Sequence, residues 1–178
     1  MKEIEVKILD INKKILENKL KSLSAKKVSE GELSTLYLDT KNKDIHHNKN
    51  MLRIRTSKNG VILCLKTKME KKETKSADEY ETKVSDLNNT LKILNCLGIC
   101  VVEEVKKHRT SYKINNVHFD IDTYLGNYSY IPTFFEIEAV NKKDILKYVK
   151  LLGFKESDAK PWTLGDLIRH YSKKNKTK

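Results

Sequence analysis

Residues 2–9 read KEIEVKIL, a run in which charge and hydrocarbon alternate. In an extended chain Glu3, Glu5 and Lys7 fall on one face and Ile4, Val6 and Ile8 on the other. Seven further runs carry strand signals: residues 33–39, 51–57, 61–68, 78–84, 101–113, 116–124 and 132–140. Asn59-Gly60 and Asn115-Asn116 separate pairs of these runs and predict hairpin turns, because Asn and Gly tolerate positive φ. Eight strands joined mostly by short connections predict an antiparallel sheet.

Helical spacing interrupts the pattern. Ile11, Ile15, Leu16, Leu20 and Leu23 predict a helix over 11–23, with Asp10 as its N-cap. Leu87, Leu91, Leu94 and Leu97 predict another over 87–97, between Asp86 and Gly98. Ile145, Leu146, Val149 and Leu152 predict a third over 142–152, between Asn141 and Gly153. A last short helix is expected over 162–171, entered through Lys160-Pro161-Trp162 with Trp162 as a core anchor. Stretches 41–50 and 69–77 read as mobile charged loops. With six Gly, two Pro and no Ser/Gly-rich linker, the expectation is one domain over 1–172 and a solvated basic tail over 173–178.

The chain is 178 residues long, enough for a hydrophobic core without staples. Lys and Arg number 36 against 24 Asp and Glu, and the net charge of +12 predicts an anionic partner. No apolar run approaches a bilayer span, which excludes a helical membrane protein. The N-terminus has no signal-peptide apolar stretch. Cys64, Cys96 and Cys100 form an odd count without zinc spacing, so reduced, mostly buried thiols and a cytoplasmic location are expected.

The informative feature is how charge is sorted. Glu3/Glu5, Asp120/Asp122 and Glu136/Glu138 are carboxylate pairs two residues apart. Arg53/Arg55, Lys66/Lys68 and Lys107/Arg109 are cation pairs at the same spacing. Glu79 and Glu81 share a face with Lys83. The opposite faces carry Leu52, Ile54, Phe119, Ile121, Phe135 and Ile137. The bland explanation is an ordinary sheet with one wet side. A wet side, however, mixes signs within a strand to neutralise itself, whereas here the signs segregate by strand. If the sheet curls with these faces inward, the lumen holds dense charge of both signs and the apolar faces turn outward beneath the three leucine-rich helices. Burying such charge requires mutual pairing or a ligand carrying both signs. Mg²⁺ or Mn²⁺ on a polyphosphate supplies both, since hard cations take carboxylate oxygens and phosphates take Arg forks and Lys ammonium groups.

These residues resemble the CYTH domain, also called the triphosphate tunnel metalloenzymes. Glu3-Ile4-Glu5-Val6-Lys7 is similar to its N-terminal E-x-E-x-K signature. The likeness continues in order through Tyr37/Asp39/Thr40, Arg53/Arg55, Lys66, Glu79/Glu81, Lys107/Arg109, Asp122 and Glu136/Glu138. The resemblance implies an α+β fold: an eight-stranded antiparallel tunnel with a charged lumen, covered by helices, that binds a triphosphate lengthwise with divalent metal. Relatives include class IV adenylyl cyclases, thiamine triphosphatases, tripolyphosphatases and fungal-type RNA triphosphatases, and homodimers are common among them. By position, Lys7, Arg53, Arg55, Lys66, Lys107 and Arg109 are the implied phosphate ligands. Glu3, Glu5, Asp122, Glu136 and Glu138 are the implied metal side, with Asp120 an alternative to Asp122. Glu3, Glu5 and Lys7 are the implied catalytic group.

Two reactions suit such a site. In a hydrolase, a water positioned and deprotonated at Glu3/Glu5 or at a second metal attacks the terminal phosphoryl group. In a cyclase, the ribose 3′-oxygen of ATP attacks the α-phosphate and pyrophosphate leaves. Only Met1-Lys2 precede Glu3, where some class IV cyclases carry His-Phe and further residues, and the aromatics are spread along the chain without a distinct purine pocket. The hydrolase is therefore preferred and the cyclase is the alternative. A binding module without turnover is a third possibility. Nucleic acid is not the expected partner, because acidic pairs beside the bases repel a long polyanion and much of the surplus charge lies in loops and tail. His46-His47 read as solvated, His108 as facing away from the site, and Asp39 as a structural partner of Arg55. Lys160 and Arg169 are lower-ranked substrate contacts.

Overall fold

The computed structural model describes residues 4–70 and 76–175. Among these, eight strands form one antiparallel sheet: β1 (Ile4–Ile8), β2 (Lys26–Thr40), β3 (Met51–Ser57), β4 (Gly60–Glu70), β5 (Ser76–Val84), β6 (Ile99–Ile114), β7 (Val117–Leu125) and β8 (Phe134–Ala139). The spatial order is β1-β8-β7-β6-β2-β3-β4-β5. Five helices accompany it: α1 (Lys13–Ser22), α2 (Asp44–His47), α3 (Leu87–Cys96), α4 (Lys142–Leu151) and α5 (Leu164–Asn175). The architecture is α+β, a strongly curled half-barrel of antiparallel strands.

The curl follows from two-sided sequence demands. The convex face gathers Val6, Ile8, Phe119, Ile121, Phe135 and Ile137, all at most 6% exposed. Leu16 and Leu20 of α1, Ile145, Tyr148 and Val149 of α4 and Leu152 at its C-cap cover it. The two helices are tied together where Lys19 Nζ donates to the Leu152 carbonyl at 2.6 Å. Gly153, at φ +80°, ends α4 beneath this ammonium; a Cβ there would lie 2.7 Å from Nζ. The third leucine-rich helix does less than expected. α3 lies against β6 but has no buried residue, and Ile93 and Leu97 are 62% and 70% exposed.

Hairpins sit close to their expected places. Asn115, at φ 51°, turns β6 into β7 through the two-residue loop Asn115-Asn116. The β3–β4 loop is Lys58-Asn59, one residue earlier than expected, with Gly60 opening β4 at φ 118°. α1 is capped by Asn12, whose Oδ1 accepts from Ile15 N at 3.1 Å. Asp10, the expected cap, is instead at φ 52° and accepts from the Tyr171 hydroxyl at 2.8 Å. The expected loop 41–50 contains the one-turn helix α2, and residues 71–75 of the other expected loop lie outside the described residues. α5 begins two residues later than expected and runs on to Asn175. None of the helices is long and apolar enough to cross a membrane among the described residues.

At the seam, no ladder joins β1 to β5 among the described residues. The segment entering α5 pairs with β1 instead: Lys7 N donates to the Lys160 carbonyl and Lys160 N to the Lys7 carbonyl, both at 2.8 Å. Directly paired residues share a face, so Lys160 joins Lys7 on the concave side.

Candidate functional site

Register places the expected charges on one concave surface. On its acidic half, β1, β8, β7 and β6 stand side by side. Glu5 is opposite Glu138, Lys7 opposite Glu136, Glu136 opposite Asp120, and Asp122 opposite Arg109. The groups pair densely. Lys7 bridges Glu5 and Glu136, the latter at 2.6 Å. Arg109 Nη2 reaches Glu136 Oε2 and Asp122 Oδ2, each at 2.5 Å, while its Nε donates to Asp122 Oδ1 at 2.7 Å and Nη1 contacts Asp120. Lys107 Nζ adds a 2.5 Å bond to Asp122, whose side chain is fully buried.

Protonation states follow from these contacts. Burial pulls the Lys7 ammonium down, but Glu136 and Glu5 outweigh it and hold the pKa above the ordinary lysine value. Burial opposes charge on Glu136 too, yet Lys7, Arg109 and Lys107 keep it ionised well below the usual range. Lys107 goes the other way: burial and the Arg109 guanidinium lower it. Asp120 is raised by burial, partly offset by Arg109.

The opposite wall is β3, β4 and β5. Arg53 Nη2 bonds Glu79 Oε1 at 3.0 Å, and Lys66 Nζ bonds Glu79 Oε2 at 2.8 Å. Burial opposes the charge on Glu79, but the Cys64 and Lys66 bonds hold its carboxyl down to about 2. Arg55 differs from every other cation here. It makes no hydrogen bond or ion pair among the described residues. Burial, Arg53 and Arg109 depress its pKa, and the attraction of Glu81 offsets this only in part. Arg53 Nε is likewise buried without a partner among the described residues.

One end of the concave face is apolar. Beyond Lys107, Asp122 and Glu136 the same strand faces continue as Val105, Tyr124 and Phe134, and these pack against Leu167 and Tyr171 of α5. Tyr37, Tyr128, Tyr130 and Trp162 join them. Five of the eight tyrosines scattered through the sequence are thus gathered in one closed cluster. Lys7 Nζ lies 5.9 Å from the Phe134 ring and Lys107 Nζ 5.9 Å from that of Tyr124, a cationic layer over an aromatic base.

Of the residues expected from sequence, Glu5, Lys7, Arg53, Arg55, Lys66, Lys107, Arg109, Asp122, Glu136 and Glu138 share this concavity, with Asp120 beside them. Glu3 lies outside the described residues, as does the side chain of Lys68. Asp39 is not the partner of Arg55; it accepts from the backbone N–H groups of Thr40, Ile45 and His46 and so fastens the turn into α2. Of the thiols only Cys64 is buried, while Cys96 is exposed and Cys100 half-buried. Cys64 is a member of the concave surface that charge pairing did not select; strand parity with Lys66 was the available signal.

The donor set suits a hard divalent cation on the acidic half, where carboxylates crowd one surface. A second grouping, Cys64 Sγ with Glu79 and Glu81 oxygens within 4.8 Å of one another, could also hold a metal ion. A cation there would face Arg53 and Lys66, which already neutralise Glu79.

Comparison with known proteins agrees with this architecture. A Methanocaldococcus jannaschii protein named "Putative adenylate cyclase MJ0240" is 28% identical over 142 residues, 80% of either chain. The PH1012 protein of Pyrococcus horikoshii superposes with a TM-score of 0.76 at 27% identity, covering 93% of this chain and 98% of that one. A Hippeastrum protein, HpAC1, whose description as an adenylyl cyclase is joined to a dominant triphosphatase activity, superposes at 0.66 over 96% of both chains; at 15% identity that likeness concerns the fold. The CYTH domain model matches residues 1–151, and the chain belongs to the CYTH domain family.

Proposed function

We propose that this chain is a divalent-metal-dependent phosphohydrolase that removes the terminal phosphate of a triphosphate, either inorganic tripolyphosphate or a nucleoside or thiamine triphosphate. The observation that carries this reading is Arg55, a half-buried guanidinium with no hydrogen bond or ion pair among the described residues, next to Arg53, whose Nε is buried without a partner. Partly desolvated cations without full compensation are costly, and an anionic ligand lowers that cost. Phosphate oxygens are the matching acceptors for two neighbouring Arg forks.

In this account Arg53, Arg55 and Lys66 take the phosphate chain from the β3–β5 wall, and Lys7, Lys107 and Arg109 take it from the other side. The metal side is Glu3, Glu5, Glu136 and Glu138 with Asp120 or Asp122. The full burial of Asp122 and its bonds to Lys107 and Arg109 favour Asp120 as the direct ligand. Bound Mg²⁺ or Mn²⁺ supplies charge neutralisation and acidifies water. Glu5 or Glu3 accepts the proton of the attacking water. Lys7 and Arg109, released from Glu136 as the ligand enters, stabilise charge on the transferring and leaving oxygens. The internal ion pairs are place-holders with the signs of the ligand they give way to.

The alternative is a class IV adenylyl cyclase, which the name of the Methanocaldococcus jannaschii relative favours. Packing of Val105, Tyr124 and Phe134 against Leu167 and Tyr171 of α5 supports the hydrolase. The deciding experiment is a panel of tripolyphosphate, ATP and thiamine triphosphate with Mg²⁺ or Mn²⁺. Metal-dependent phosphate release with tripolyphosphate among the best substrates is expected. Cyclic AMP with pyrophosphate from ATP would establish the cyclase, and tight binding without turnover would leave a binding module.

A further inference from the structure

Cys64 lies in the middle of β4, between Arg53 of β3 and Glu81 of β5 in the register, and is 1% exposed. Its Sγ is 2.9 Å from Glu79 Oε1, the same oxygen that receives Arg53 Nη2 at 3.0 Å. Glu79 Oε2 is occupied by Lys66. The S–H is the donor and the carboxylate oxygen the acceptor. A thiol is a weak donor, but an ionised acceptor strengthens the bond.

Resting on the triphosphate reading of the site, we propose that Cys64 is a positioning residue for Arg53. Its S–H anchors Glu79 Oε1, Glu79 anchors Arg53 Nη2, the sulfur itself borders the guanidinium, and Nε is left buried without a partner among the described residues. Without the thiol proton, Oε1 keeps only Arg53, and the carboxylate is free to turn toward Lys66. The fork then loses its fixed aim. A hydrocarbon of similar volume fills the space without supplying the donor; a hydroxyl supplies the donor with less volume.

The test compares wild type, Cys64→Val and Cys64→Ser. Calorimetry with inorganic tripolyphosphate and Mn²⁺ should give an affinity about three- to tenfold weaker for Cys64→Val, the loss expected for one modest hydrogen bond. KM should rise by the same factor with little change in kcat, and Cys64→Ser should return affinity to within about twofold of wild type. Equal affinity in the Val variant, or a Ser variant as weak as Val, would overturn the assignment and leave the thiol as packing. A second readout is independent of any activity. The Arg53 Nε–H resonance, identified by its loss in Arg53→Lys, should shift in Cys64→Val and return in Cys64→Ser. An unmoved resonance refutes the positioning role even if the protein proves not to bind tripolyphosphate, whereas a moved resonance without binding refutes only the reading of the site.

Discussion

The two walls of the concavity are built from the same residue types and solve the burial of charge in opposite ways. On the β1-β8-β7-β6 half, Lys7, Lys107 and Arg109 are matched with Glu5, Asp122, Glu136 and Asp120. On the β3-β4-β5 half, Glu79 serves both Arg53 and Lys66, and Arg55 is left without a partner among the described residues. The first wall is therefore part of the fold as well as of the proposed site. The second holds Arg55, a half-buried cation less fully compensated among the described residues. That asymmetry separates residues whose loss damages stability from residues whose loss damages binding alone.

The largest effect is expected from Glu136→Gln. It strands Lys7 and Arg109 with reduced compensation in a buried place, so unfolding free energy should fall by about 3 kcal/mol. Turnover should fall by at least about 100-fold through weaker charge stabilisation. Chemical denaturation and phosphate release measure the two, and a fully stable variant would contradict the first wall's structural role. Arg55→Met should do the reverse. Triphosphate affinity should drop by about 30-fold or more, the scale of one charge-assisted hydrogen bond to the ligand. Stability should rise slightly, by up to about 1 kcal/mol, since a half-buried guanidinium repelled by Arg53 and Arg109 and only partly offset by Glu81 is replaced by hydrocarbon. A less stable variant would mean that Arg55 is compensated after all.

Acid sharpens the same contrast. Glu136 and Glu79 have pKa values below their ordinary value of 4.5 in the folded state, Glu79 at about 2. Each therefore contributes stability that is full above the unfolded value and is lost as pH falls through the folded one. Denaturation curves between about pH 5 and pH 2 should show stability decreasing with acid, and the slope should shrink in Glu136→Gln. The smallest effect is expected at the apolar end. Tyr171→Phe removes the hydroxyl bond to Asp10 and should lower stability by about 1 kcal/mol, with triphosphate affinity unchanged. A matching loss of affinity would bring α5 into the site.

Much of the fold was legible because a strand's two faces are written in alternate residues. Ile4, Val6 and Ile8 and their counterparts at 119, 121, 135 and 137 predicted the covered convex side. The start of β2 was not legible: Lys26 to Gly31 show no alternation, and that stretch is held by backbone pairing with β6. The α1 cap was ambiguous because Asp10 and Asn12 are both good caps, and a tyrosine 161 residues away in sequence claimed Asp10. The shared concave surface followed from parity, which places Arg53, Arg55, Lys107, Arg109, Asp122 and Glu136 together. Which carboxylate meets which cation was not written locally, since Arg109 reaches Glu136 across an intervening strand and Arg53 reaches Glu79 across β4. Asp39 illustrates the same gap: its inward parity suggested Arg55, but three closer backbone donors took it.

On ligand binding, the internal ion pairs are expected to be exchanged for a metal–triphosphate ligand. A crystal structure of the protein with Mn²⁺ and tripolyphosphate tests it most directly. Anomalous scattering from Mn²⁺ should lie among Glu5, Glu136 and Glu138, with phosphate oxygens on Arg53 and Arg55 and with Lys7 and Arg109 drawn away from Glu136. Manganese and phosphate bound elsewhere, with the Lys7–Glu136 and Arg109–Glu136 pairs intact, would contradict it.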